Sequence, residues 1–237
     1  MEENLQLGEH TSQKYNQEME ELRQRVLTMG GLVEEQSRKA LKALVKGKTR
    51  LAREVASSDY KVNELEVEIN ERCTDILALR QPAAGDLRMI VSIIRMTADL
   101  ERIGDEAESI GRLAETMGGD GAAFRSDPKH LGRSALDMLR GALDAFARLD
   151  VAAAINTAAD DPEIDREFES LTRLLITHMM EQPAHVKDLL RVNWCARSLE
   201  RIGDHAVNIC EEVIYLVKGS DVRHLPLKEI QDRFLPE

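Results

Sequence analysis

Two six-residue segments of this chain are identical. Leu100–Asp105 and Leu199–Asp204 both read LERIGD, at an offset of 99 positions. Six consecutive identities inside one chain are hard to assign to chance and mark an internal duplication. The flanks agree: DLERIGDEAESI begins at Asp99 and SLERIGDHAVNI at Ser198. Upstream, Asp59, Val62 and Asn63 match Asp161, Ile164 and Asp165 at an offset of 102. The difference of three residues falls near a turn, where insertions are tolerated. A chain written twice to one plan is expected to fold as two copies of one unit. The Gly118-Gly119-Asp120-Gly121 run reads as the linker, dividing the chain into repeats 1–119 and 120–237.

The unit is helical. Leu, Ala, Glu, Arg and Met abound, aromatics are 3%, and β-branched runs are scarce. Leu22, Val26, Met29, Val33, Ala40 and Leu44 recur at helical spacing and predict a helix from Ser12 to about Lys46, after a frayed start over 1–11. Gly30-Gly31 is a place for a bend and Gly47 a terminator. A second helix is predicted over Thr49–Leu79, striped by Val62, Leu65, Ile69, Cys73 and Ile76, and stopped at Gln81-Pro82. A third runs from about Gly85 to Met117, its apolar surface from Leu87, Ile90, Val91, Ile94, Leu100 and Ile103. The second half repeats this: Pro128–Leu149, Val151–Met180 with a kink at Pro162, a stop at Gln182-Pro183, then Ala184–Lys218 closed by Gly219. The tail reads as irregular or a short helix. The expected fold is all-α: two tandem pseudo-symmetric three-helix bundles of up-down helices.

Charge narrows the partners. The chain carries −11 at pH 7, without the clustered Lys and Arg or the stacking aromatics that nucleic acid requires. The first ten residues, MEENLQLGEH, do not read as a secretory signal, and no apolar run approaches a membrane span. A cytoplasmic protein is expected, with Cys73, Cys195 and Cys210 as reduced core residues. Trp194 and the methionines read as core or interface.

The chemistry lies in the acids. Glu101 and Asp105 are four apart on one helix and share a face, as do Glu200 and Asp204. On the preceding helices Asp59 pairs with Asn63, and Asp161 with Asp165. Helices two and three of each half, joined by a short turn, run antiparallel. Position 61 lies 21 residues before Pro82 and position 103 lies 21 after it; position 163 lies 20 before Pro183 and position 202 lies 19 after it. At about 1.5 Å per residue the pairs sit level. By helical phase they flank the core on an outer groove. Carboxylates gathered at one height repel unless a cation joins them. All-oxygen donors suit a hard ion such as Mg, Mn, Ca or Fe, with Zn second because no His stands at ligand spacing. The plainer reading is neutralisation by Arg95, Arg102, Arg166 and Arg201. Gly104 and Gly203, in mid-helix, read as points of close helix packing.

The duplicated LERIGD segments, the acidic partner pairs and the stretch SLERIGDHAVNICEEVIYLVKG resemble the PhoU family along nearly the whole chain. The resemblance implies a cytoplasmic, homodimeric, non-enzymatic regulator of phosphate homeostasis. Such a regulator damps the phosphate-starvation response, linking the ATPase of the phosphate ABC transporter to a sensor histidine kinase. It also implies metal binding through Glu/Asp-x-x-x-Asp motifs. Here these are Glu101 and Asp105, Glu200 and Asp204, and Asp161 and Asp165; Asp59 matches while Asn63 departs from the acidic pattern. The alternative is a carboxylate-metal helical-bundle enzyme. None of the six His has a Glu three residues before it, as ferritin-like sites require, and neither a phosphate-binding loop nor a nucleophile elbow is present.

Overall fold

The computed structural model describes residues 3–82, 84–117 and 124–235, with side chains from residue 13 onward. The predicted linker at 118–121 lies outside the described residues. The elements are all helices: α1 (Glu3–Lys46), α2 (Thr49–Ala56), α3 (Tyr60–Arg80), α4 (Ala84–Thr116), α5 (Lys129–Arg148), α6 (Val151–Ala158), α7 (Asp161–Glu181), α8 (Val186–Lys218) and α9 (Leu227–Phe234). A 3-10 turn, Pro183–His185, precedes α8.

Three boundaries differ from the sequence reading. First, α1 begins at Glu3, where fraying was expected, and passes through Gly30-Gly31 without interruption. Residues 3–11 contain no proline and a single glycine, so nothing there stops a helix. Second, the predicted second helix is two helices. Ser57 and Ser58 turn their hydroxyls onto the carbonyls of Glu54 and Val55, at 3.2 and 3.0 Å, and so end α2. Third, Pro162 does not kink a helix but opens one. It stands in the first turn of α7, where its missing N–H has no partner to lose. Asp150 caps α6 by accepting from the Ala153 amide at 2.9 Å. The two stops fell as expected, with Gln81 in the left-handed region at the end of α3 and Gln182 ending α7.

The apolar stripe of α1 is buried throughout, and so are the three cysteines. Leu87, expected on the apolar surface of its helix, is 41% exposed and is not a core residue; Trp194, expected in core or interface, is 53% exposed and so is not core. The buried side chains form one continuous cluster that runs through both halves. Its axis is the antiparallel pair α4 and α8, the most extensively packed pair of helices. Both are half-polar along the seam. Asp99 lies at its centre, 2.9 Å from His205 Nδ1 and accepting from Asn208 Nδ2 at 3.0 Å. Arg95 pairs with Glu212 and Arg201 with Glu106 on either side. Against this axis α3 packs on α4 and α7 on α8. Gly104 and Gly203 set those contacts. A Cβ on Gly104 would lie 3.1 Å from Asp59 Oδ1 and 3.3 Å from Val62 Cγ1; one on Gly203 would lie 3.3 Å from Ile164 Cδ1. The glycines thus bring the paired helices close at the height of the acids.

Candidate metal-binding grooves

In the second half, carboxylate oxygens of Asp165, Glu200 and Asp204 lie within 4.8 Å of one another. The α7–α8 hairpin delivers them at one level, as the register argument requires. Asp161, one turn back on α7, adjoins them: burial and then the charges of Asp165 and Asp204 push its carboxyl up to about 6. Burial, then Asp204, lifts Glu200 to about 6 as well. Asp204 is raised by burial and by Asp165. Asp161 Oδ1 and Glu200 Oε2 are buried with no hydrogen-bond partner. A buried carboxylate oxygen without a partner is costly, and a cation satisfies it.

In the first half the gathered oxygens belong to Asp59, Asp105 and Glu108. Burial raises Asp59, with Asp105 the next cause; burial raises Glu101 and Asp105 too. Asp59 Oδ1 is buried and unpartnered, while its Oδ2 accepts from Asn63 Nδ2 at 3.0 Å. Glu101 faces the same groove, feeling the charges of Asp105 and Asp59, but stands outside the tight triad. Glu108 was missed in the sequence. Its signal was present: it follows Asp105 by three and Glu101 by seven, on one helical face. Its counterpart in the second half is Val207, just as Asn63 answers Asp165. The carboxylate lost at 63 is regained at 108, so each groove keeps three close acids.

The neutralising arginines were also misassigned. Arg95 and Arg201 pair with Glu212 and Glu106, and Arg102 approaches Asp99 at 4.0 Å; all three serve the α4–α8 seam. Among the described residues Arg166 makes no ion pair. The arginines at the grooves are instead Arg197, on Glu200 at 2.7 Å, and Arg112, on Glu108 at 2.5 Å. Each leaves the opposite-helix carboxylate untouched. Nor are the grooves wholly external: Asp59 and Glu200 are each only 7% exposed, while Asp105, Asp165 and Asp204 open to solvent. One acid per groove is therefore anchored against the core, while Asp105 in the first and Asp165 and Asp204 in the second reach outward and Glu108 is half-buried. The donor set is entirely carboxylate oxygen, which fits a hard di- or trivalent ion.

A duplicated all-α chain with a pseudo-symmetric pair of carboxylate grooves, one per helical hairpin, is the class that fold and site define. Comparison with known proteins places it further. The PhoU domain family model matches residues 26–114 and again 129–213, and the chain belongs to this family. It is 49% identical to a Pseudomonas putida protein named phosphate-specific transport system accessory protein PhoU homolog, over 94% of this chain and 88% of that one. The Escherichia coli phosphate-specific transport system accessory protein PhoU is 42% identical over 94% of this chain and 93% of its own length. The crystal structure of PhoU from Pseudomonas aeruginosa superposes with a TM-score of 0.81 at 45% identity, covering 87% of this chain and all of that one. The regulatory protein PhoU from Streptococcus pneumoniae gives 0.79 at 31% identity, over 88% and 99%. These relatives are named as accessory or regulatory proteins of phosphate transport, not as enzymes. Among the described residues no helix is long and apolar enough to cross a membrane.

Proposed function

We propose that this protein is a cytoplasmic, non-enzymatic negative regulator of the phosphate-starvation response. It acts as an adaptor between the ATPase of a phosphate ABC transporter and a sensor histidine kinase. Residues 1–119 and 120–237 serve as its two repeats, and it works as a homodimer. The observation that carries this reading is similarity along nearly the whole chain to accessory proteins of phosphate transport. The extensively packed α4–α8 axis supports it, since one scaffold can present two separate faces at once.

Each half holds a metal ion in this reading. Asp161, Asp165, Glu200 and Asp204 bind one; Asp59, Glu101, Asp105 and Glu108 bind the other, with Asn63 at the rim. Mg, Mn or Fe suits these donors best and Zn less well. Bound metal would neutralise the clustered acids and fix the spacing of the paired helices.

A tagged chain captured from lysate of cells grown at high and at low phosphate, followed by protein identification, tests the adaptor role. Recovery of both the transporter ATPase and the kinase is expected; recovery of neither under either condition would remove it. Elemental analysis after dialysis, with Glu200→Ala as the control, tests the metal. Equal metal content in the two proteins would reduce the grooves to salt-bridged surface.

A further inference from the structure

The chain as a whole carries −11 and its sequence shows no run of clustered Lys and Arg, yet the fold gathers two distant segments into one strongly cationic strip. A cavity of about 320 Å³ lies between α1 and α5, bordered by six cationic side chains and a single acid, Asp137. It shares no residue with either acidic groove, which lie on the α3–α4 and α7–α8 hairpins. Helices α1 and α5 run antiparallel here: Gly30 meets Leu143 and Gly132 meets Leu41. The cations are ordered. Arg38, Lys42 and Lys46 recur every four residues along α1, and Lys129 and Arg133 do the same on α5. Between the two rows lies an apolar floor of Leu41, Val45 and Leu136.

Among the described residues these five cations form no ion pair. Arg140, at one end of the groove, is paired with Glu34 at 3.0 Å. Elsewhere on the surface Arg53 is bridged to Glu115 and Arg112 to Glu108. Like charges four apart on a helix destabilise it by a few tenths of a kcal/mol per pair. Here three such pairs are held in two facing rows, and an anionic partner would turn that repulsion into attraction.

We propose that the groove between α1 and α5 binds an amphipathic helix with acidic flanks, supplied by a partner protein. From position 38 to 46 the α1 row spans about 12 Å, roughly two helical turns. A helix laid along the seam sets its apolar stripe on Leu41, Val45 and Leu136 and its two acidic flanks against the two rows. A small phosphate ligand would meet only part of either row and leave the floor bare. The groove has no aromatic and no neutral hydrogen-bonding side chain, so it has no means of reading a nucleotide base. The inference does not depend on metal in the acidic grooves.

The test uses the full chain and a fluorescent synthetic peptide of about 20 residues, long enough to form a helix. Leucines at helical spacing form one stripe, and glutamates line both sides. Anisotropy should report binding that weakens about tenfold in the double variant Lys42→Glu/Arg133→Glu, and about tenfold again between low and high salt. Both substituted side chains are exposed, so the fold is expected to stand. A scrambled peptide of the same composition should bind at least about tenfold more weakly, since its leucines share no face. Equal binding of the scrambled peptide would overturn the proposal, as would indifference to the charge reversals. ATP or phosphatidylglycerol vesicles binding through Lys42 and Arg133 in preference to the peptide would also overturn it. Self-association of the chain that vanishes in the double variant would assign the groove to a second copy instead.

Discussion

Replacing Glu200 by Gln should make the metal-free protein more stable at pH 8. Glu200 is 7% exposed and its Oε2 has no hydrogen-bond partner. Burial, reinforced by Asp204, lifts its carboxyl from 4.5 to about 6. That rise corresponds to ~2 kcal/mol. The sign follows from proton linkage. A carboxyl raised in the fold binds its proton more tightly there than in the unfolded chain. Its full stability is present below pH 4.5 and is lost as pH climbs through about 6. At pH 8 the charged, buried form therefore burdens the fold, and Gln removes the burden. The variant also gives up the ion pair with the exposed Arg197, but that attraction already opposes the rise and is contained in it. The gain is ~2 kcal/mol, or roughly 4–8 °C in Tm for a chain of this size. At pH 4 parent and variant should melt together. With Mn²⁺ present at pH 8 the order reverses, because the parent gains binding energy through a charged ligand the variant lacks. Thermal melts at the two pH values, with chelator and with Mn²⁺, check all four expectations. A lower melting point for the variant in chelator at pH 8 would refute the burial argument. An equal gain at pH 4 and pH 8 would refute the linkage.

Asn63→Asp removes the hydrogen bond to Asp59 and adds a like charge beside it. It should lower the metal-free Tm by several degrees and tighten metal binding to the first groove about tenfold, read by calorimetric titration of the purified chain. Gly104→Ala places a Cβ 3.1 Å from the Asp59 carboxylate and 3.3 Å from the stiff Val62, whereas Gly203→Ala meets nothing nearer than the end of Ile164 at 3.3 Å. Urea unfolding should show Gly104→Ala destabilised by ~1 kcal/mol and Gly203→Ala within ~0.5 kcal/mol of the parent, since alanine's helix propensity offsets the milder contact. Asp99→Ala strands His205 and Asn208 in the α4–α8 seam and should cost ~2–3 kcal/mol by the same measurement.

The acids illustrate how far a single strand of letters reaches. Register was legible because it depends only on residue count and rise along two helices joined by a known stop. Asp59 and Asp105, and Asp165 and Asp204, do face each other. Membership of the triads was harder. Glu101 and Glu108 lie on the same face of α4 as Asp105, and periodicity cannot say which leans toward α3. The packing decides, through the approach at Gly104. The breaks before α3 and α7 left local signals, Ser57-Ser58 and Asp161-Pro162, that a search for long periodic stripes passes over.

By itself, then, the sequence determined the duplication, the helical class, the stops at Gln81 and Gln182, the buried cysteines and the level of the acids. These follow from propensity, period and counting within one hairpin. Only the tertiary structure decided that α4 and α8 form the common axis, that Arg95 and Arg201 serve it rather than the grooves, and that Trp194 stays outside. It also set two basic rows, 83 or more positions apart in the chain, along one seam. An amphipathic pattern tells a helix which face to bury but not against which neighbour. That choice is made by shape and charge between segments far apart in the chain.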